Sequence, residues 1–137
     1  MADAGTARHV FDLRVYYEDT DLAGIVYYAN YLRFIERART EWVRALGVDQ
    51  VRLKTDAGLV FAVRRLEADY LRPARFDDLL QVETRLVSLT GARIHLAQDV
   101  TRGAVRLFAA QVMLVCLTGA GTAARLPPDV VQRLSAV

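Results

Sequence analysis

The spacing of apolar positions changes along the chain, and each change of period marks an element. From His9 to Tyr17, Val10, Leu13, Val15 and Tyr17 alternate with polar neighbours, with one break at Phe11-Asp12, which predicts a first strand. The acidic loop Glu18 to Gly24 interrupts it. From about Ala29 the period lengthens. Leu32, Ile35, Ala38, Trp42, Val43 and Leu46 recur at helical spacing, with Arg33, Glu36, Arg37, Glu41 and Arg44 on the opposite side. Gly47 is placed to stop that helix. After a loop containing Asp56 and Gly58, Leu59 to Leu71 reads as a long strand. Its apolar phase shifts from Phe61 and Val63 to Leu66, Ala68 and Tyr70, as a bulge near Arg64-Arg65 would require.

Pro73 and the charged segment RPARFDD form a connection. Leu80, Val82, Thr84 and Leu86 then face one way and Gln81, Glu83 and Arg85 the other, the pattern of a half-buried antiparallel strand. Thr90-Gly91 and Arg102-Gly103 read as hairpin turns that separate a strand from Ala92 to Thr101 and a last strand from Val105 to Leu117. The unbroken apolar run Val112 to Leu117 predicts burial on both faces, hence a central strand. The tail, 119–137, is rich in small residues and broken by proline, with a short helix predicted from Asp129 to Leu134 and little function expected. No repeat or linker divides the chain, so one domain is expected over 1–137 with its core at about 9–118. One long helix covered by one antiparallel five-stranded sheet makes an α+β layer pair. Such a sheet keeps an exposed face and free edges, which predicts a homodimer.

Composition narrows the class. With 137 residues, 53% of them hydrophobic, the chain can bury a core without disulfide or metal support. Its one cysteine, Cys116, lies in VMLVCL and reads as a small buried hydrophobe, so a disulfide within the chain is excluded. The start, MADAGTARHVFDLRV, lacks a stretch suited to a signal peptide, and no apolar run reaches the roughly 18 residues of a membrane span. A cytoplasmic location is expected. The 18 basic residues are scattered rather than gathered into a stripe, and with 16 acidic ones the net charge is only +2, which argues against a nucleic-acid module. His9 and His95 stand in separate strands without cysteine or carboxylate at ligand spacing, so no metal site is expected. No nucleophile elbow, Walker loop or dinucleotide fingerprint is present, and no cofactor is expected.

What remains is the segment YYEDTDLAGIVYYANYLRFIERARTEW, residues 16–42. Asp21 stands seven residues before Tyr28 and nine before Asn30, where the helix starts, so a carbonyl could sit between its carboxylate and the first free backbone N–H groups. Gly24 permits close backbone approach, and Ile25, Val26, Tyr27 and Tyr28 supply an apolar wall. There a positioned base is worth on the order of 10²–10⁴ in rate and an oxyanion donor on the order of 10²–10³. Glu18 and Asp19 read as solvated or structural carboxylates. Asn30 caps the helix or orients water, and capping is favoured. Tyr17 either hydrogen-bonds near Asp21 or is a core tyrosine with a satisfied hydroxyl.

That segment resembles the hot dog fold acyl-CoA thioesterases of the 4-hydroxybenzoyl-CoA thioesterase-like group, in particular the Tol-Pal-associated branch. The likeness is specific over residues 16–42 and continues more weakly through FAVRRLEADYLRPARFDD and the final strands. It implies that Asp21 is the catalytic nucleophile or general base, that the Tyr28 N–H polarises the substrate carbonyl, that Gly24 is the loop glycine and that Tyr17 assists Asp21. The Tol-Pal-associated branch often carries histidine where this chain has Tyr28, so a side-chain role for that histidine is absent here while a backbone role survives. A further clade places its carboxylate on the helix, where Glu36 and Glu41 are the candidates, but the intact loop motif speaks against it.

The resemblance also implies sites at a dimer interface, often in a dimer of dimers, and an acyl-CoA of short aliphatic or aryl type as substrate, with Arg64, Arg65, Arg75 and Arg93 as candidates for the coenzyme A phosphates. Two other functions compete. One is a binding module for acyl-CoA or acyl carrier protein, which would bind a nonhydrolysable analogue tightly and turn over negligibly. The other is a dehydratase, which would want a histidine in the motif.

Overall fold

A computed structural model of the chain describes residues 7–135. Strand β1 (His9–Arg14) leads through a single 3₁₀ turn (Tyr17–Asp19) and a loop to helix α1 (Asn30–Ala45). Helix α2 (Gln50–Ala57) follows, then β2 (Leu59–Tyr70), β3 (Leu79–Leu89), β4 (Arg93–Arg102), β5 (Val105–Thr118), the two-residue β6 (Ala123–Ala124) and α3 (Pro128–Ser135). The strands form one antiparallel sheet in the order β1-β3-β4-β5-β2, and β6 pairs with the end of β5 through Cys116 and Leu117.

Helix α1 forms where the apolar period is helical and buries Tyr31, Phe34, Ile35, Ala38, Trp42 and Val43. The buried stripe includes Tyr31 and Phe34 in place of the expected Leu32, which is exposed. Leu32 belongs to the arc next to the stripe, and the larger aromatic surfaces take the core. The helix closes with Gly47 N–H donating to the Arg44 carbonyl and Val48 N–H to that of Val43, a helix-ending arrangement that satisfies those two carbonyls.

The inward residues of β3 are Leu80, Val82, Thr84 and Leu86, as their alternation predicts. Those of β4 include Ile94, Leu96, Gln98 and Val100. Strand β5 is interior, yet its Val112 to Leu117 stretch alternates buried and partly exposed residues and does not bury both faces. The helices cover one face only. In β2 the register shifts between Val63 and Arg65, where the change of apolar phase placed a bulge. Gln98 is fully buried and fully used. Its amide donates to the Ile35 carbonyl at 3.0 Å and the Thr84 hydroxyl at 2.8 Å, and its oxygen accepts from Arg39 at 3.0 Å, so one side chain joins α1, β3 and β4.

Three elements differ from expectation. The first strand stops at Arg14 and leaves Tyr17 in the 3₁₀ turn. The Asp56 region is helix α2, capped by Asp49 accepting from the Arg52 N–H and ended by Gly58 at φ +67°. Its apolar positions are few and its buried face is small, so periodicity did not betray it. Strand β6 is too short to carry a pattern. The expected tail helix is present as α3 and buries Val130 and Leu134.

Candidate active site

The residues between β1 and α1 form a miniature antiparallel ribbon. Tyr27 N–H donates to the Asp19 carbonyl at 2.8 Å, Thr20 bridges Val26, and Asp21 N–H donates to the Ile25 carbonyl at 2.9 Å. Asp21 therefore stands at the tip. Its backbone carbonyl accepts from Gly24 and its Oδ1 from the Ala23 N–H at 2.9 Å, which fixes the carboxylate by a local Asx turn. Gly24 takes φ +78°, a left-handed conformation that closes the turn. Oδ2 has no hydrogen-bond partner among the described residues, and Asp21 is exposed.

The returning leg runs Ile25, Val26, Tyr27 into α1. At its end the Tyr27 carbonyl accepts from Asn30 N–H at 2.8 Å and the Tyr28 carbonyl from the Tyr70 hydroxyl at 2.9 Å. The N–H groups of Tyr28 and Ala29 donate to no acceptor among the described residues. A carboxylate with a free oxygen on the ribbon thus leads directly into free donors at the positive end of a sixteen-residue helix.

The surrounding tethers explain why the ribbon holds its shape. Asp19 is buried at 6% exposure, and its carboxylate accepts from Tyr16 N–H at 2.8 Å and from the Asn30 side-chain amide at 2.8 Å. It is a structural carboxylate. Asn30 is the first helical residue and ties the ribbon to α1; it does not cap the helix, whose N-cap is Ala29. On the other flank, Val26 N–H donates to the Ala74 carbonyl at 2.8 Å and Ala74 N–H to the buried Tyr31 hydroxyl at 3.0 Å. Burial pushes the Tyr31 phenol up, so it stays protonated. Ile25 bridges Arg75, and the 73–78 connection is clamped in turn by Asp78 accepting from Arg102 at 2.7 Å and from Arg75 N–H at 2.9 Å.

The other candidates fall into place around this frame. Tyr17 is neither a core tyrosine nor bonded to Asp21; it is 80% exposed, its ring edge-on to Phe76 with centroids 6.5 Å apart. Val26 is buried at 2% and packs downward into the core, leaving Ile25, Tyr27 and Tyr28 at the surface of the wall. Glu18 is exposed, Glu36 is exposed on α1, and Glu41 is paired with Arg44. Of the four arginines, Arg75 alone adjoins the ribbon; Arg64 and Arg65 lie at the β2 bulge, and Arg93 opens β4. Among the described residues no group of histidine, cysteine and carboxylate side chains could hold a metal ion. Burial pushes the Cys116 thiol up, which keeps it protonated and unreactive. Asp19 takes the structural one of its two expected readings. Sequence reasoning did not single out Tyr31, Ala74 and Tyr70, because their partners are supplied by chain segments far away.

Comparison with known proteins identifies the fold and the family. A family model described as the thioesterase-like superfamily matches residues 15–134. The acyl-CoA thioesterase YbgC of Haemophilus influenzae is 46% identical over 107 residues, covering 78% of this chain and 79% of that protein. The crystal structure of a probable thioesterase from Bartonella henselae superposes with a TM-score of 0.84 at 40% identity, over 88% of this chain and 100% of that one. A 4-hydroxybenzoyl CoA thioesterase mutant complexed with 4-hydroxybenzoyl CoA shares the fold, with a TM-score of 0.86 at 22% identity over 93% and 99% of the two chains. The helix and its antiparallel sheet are the hot dog fold, and the chain belongs to the thioesterase-like superfamily.

Proposed function

We propose that this protein hydrolyses the thioester bond of an acyl-CoA, with Asp21 as nucleophile or general base and the Tyr28 N–H polarising the acyl carbonyl. The chain is a thioester hydrolase, and the acyl-CoA substrate is supported by its likeness to the Haemophilus thioesterase. The observation that carries the site assignment is the tip position of Asp21: one carboxylate oxygen is held by the Ala23 N–H and the other is free, on a ribbon that ends in unpaired helix-terminal amides. As a nucleophile, Oδ2 attacks the carbonyl carbon, the C–S bond breaks, the thiolate leaves and takes a proton, and water opens the resulting anhydride. As a base, the carboxylate takes a proton from water as that water attacks the carbonyl carbon; the C–S bond then breaks and the leaving thiolate takes that proton. In both routes negative charge develops on the carbonyl oxygen, where fixed donors act most strongly.

The site is completed by a second copy of the chain. Tyr17, Leu22 and Tyr28 on this stretch, and Phe76 against Tyr17, are exposed apolar side chains that a partner surface would cover. Short aliphatic and aryl acyl groups are the substrates this small aromatic rim suits, and Arg75 is the arginine best placed for a coenzyme A phosphate. The branch assignment, Tol-Pal-associated, rests on the loop motif of residues 16–42.

The test is initial-rate hydrolysis of short, medium and long aliphatic acyl-CoAs and of benzoyl- and 4-hydroxybenzoyl-CoA by wild type and Asp21→Asn. Turnover is expected to fall at least about 10²-fold in the mutant while folding and binding of a nonhydrolysable analogue persist. A mutant that keeps most of its hydrolysis refutes the role of Asp21. Tight analogue binding with no turnover by wild type on any thioester would identify a binding module instead.

A further inference from the structure

The two free amides at the start of α1 are not equivalent. The Tyr28 N–H belongs to the peptide whose carbonyl, that of Tyr27, is engaged by the Asn30 N–H at 2.8 Å. The Ala29 N–H belongs to the peptide whose carbonyl, that of Tyr28, is engaged by the Tyr70 hydroxyl at 2.9 Å. The first peptide is held by the backbone and the second by a side chain from the last residue of β2. A hydrogen bond accepted at a carbonyl draws charge through the amide and makes its N–H a stronger donor.

Resting on the hydrolytic reading above, we infer that the Ala29 N–H is a second donor to the developing oxyanion and that Tyr70 is the residue that positions it. The Tyr70 ring is well held for this task. It lies edge-on to Phe108 at 5.0 Å, to Tyr31 at 5.5 Å and to Tyr28 at 6.3 Å between centroids. Phe108 and Tyr31 are themselves buried and stacked at 4.9 Å. Burial pushes the Tyr70 phenol up, and the neighbouring Tyr28 and Tyr31 push the same way, so it remains a donor at neutral pH. Among the described residues the Tyr28 carbonyl accepts no backbone N–H, since the adjacent turn bonds run from Asn30 to Tyr27 and from Leu32 to Ala29. Among the described residues the phenol is thus the one hydrogen-bond donor that holds the carbonyl of the peptide presenting the Ala29 N–H.

Tyr70→Phe keeps every ring contact and removes the hydroxyl. It is expected to lower kcat about tenfold while KM stays within about twofold, a smaller loss than deleting an oxyanion donor outright, because the donor remains but is less well held and less polarised. The amide resonance of Ala29, observed in ¹⁵N-labelled protein, should move. Unchanged kcat, a change confined to KM, or an unmoved Ala29 resonance each overturns the proposal. If Tyr70→Phe melts early, 3-fluorotyrosine at position 70 replaces it: its more acidic phenol should raise kcat, and an unchanged or lower kcat counts against the role. Asp21→Asn run beside these separates the two ideas. If wild type turns over no thioester, the hydrolytic reading fails; the role of Asp21 alone fails if Asp21→Asn keeps its turnover. If it collapses while Tyr70→Phe turns over like wild type, only the role of Tyr70 fails.

Discussion

At the scale of single residues, the most instructive pair is Asp19 and Asn30. Eleven positions apart, they meet at 2.8 Å in a part-buried contact that joins the ribbon to α1. Asn30→Ala leaves one oxygen of a buried carboxylate without its partner, which costs about 1–3 kcal/mol. A lower urea midpoint with an unchanged m-value would show it. Asn30→Asp sets two carboxylates in contact, so that variant should be least stable at neutral pH and recover on acidification. The pair also shows where sequence reading runs out. Asp19, Asp21 and Glu18 are chemically alike in the sequence, and the free oxygen of Asp21 and the committed ones of Asp19 follow from the way the 3₁₀ turn ends the first strand early. Tyr17 was the residue whose surroundings could least be foreseen, because its neighbour Phe76 comes from the distant 73–78 connection.

Elements were legible in proportion to how strongly one face of each is buried. Helix α1 and strands β3, β4 and β5 bury regular stripes, and the β2 bulge announced itself as a slip of phase. Helix α2, which buries no residue fully, gave no stripe to read. The outer face of the sheet has its own electrostatics. Burial raises the Asp99 carboxyl, Arg106 at 3.7 Å and Arg85 hold it down, and Glu83 across the pair pushes it up, with the net result above the ordinary carboxylate value. The native state then binds this proton more tightly than the unfolded chain does. This contribution to stability falls as pH rises from the ordinary carboxylate value through the native one, and it is level below both. Asp99→Asn should remove that slope, so urea titrations across acidic pH should show the variant gaining on wild type as the pH rises. An identical pH profile would show that the carboxylate is not penalised.

At the scale of the whole molecule, the sheet ends in two edges, β1 and β2, and β2 is a twelve-residue edge strand with Val63 and Tyr70 exposed. An open edge of that length beside an aromatic rim is a template for a second chain. Light scattering is expected to give at least twice the 15.3 kDa of one chain, and hydrolysis per subunit should fall on dilution below the dissociation range. A monomeric mass with full activity would show that one chain suffices.

The ribbon that carries Asp21 is braced from two places, by Asn30 next to it in sequence and by the 73–78 connection through Ala74 and Arg75. Residues 16–42 are therefore not a portable module. Transplanted alone into another scaffold they would lose the Val26–Ala74 bond and the Tyr31 anchor, so a working graft must carry both stretches and keep their spacing. Length changes in β2 would be felt at the ribbon as well, because that strand sets where residues 73–78 arrive.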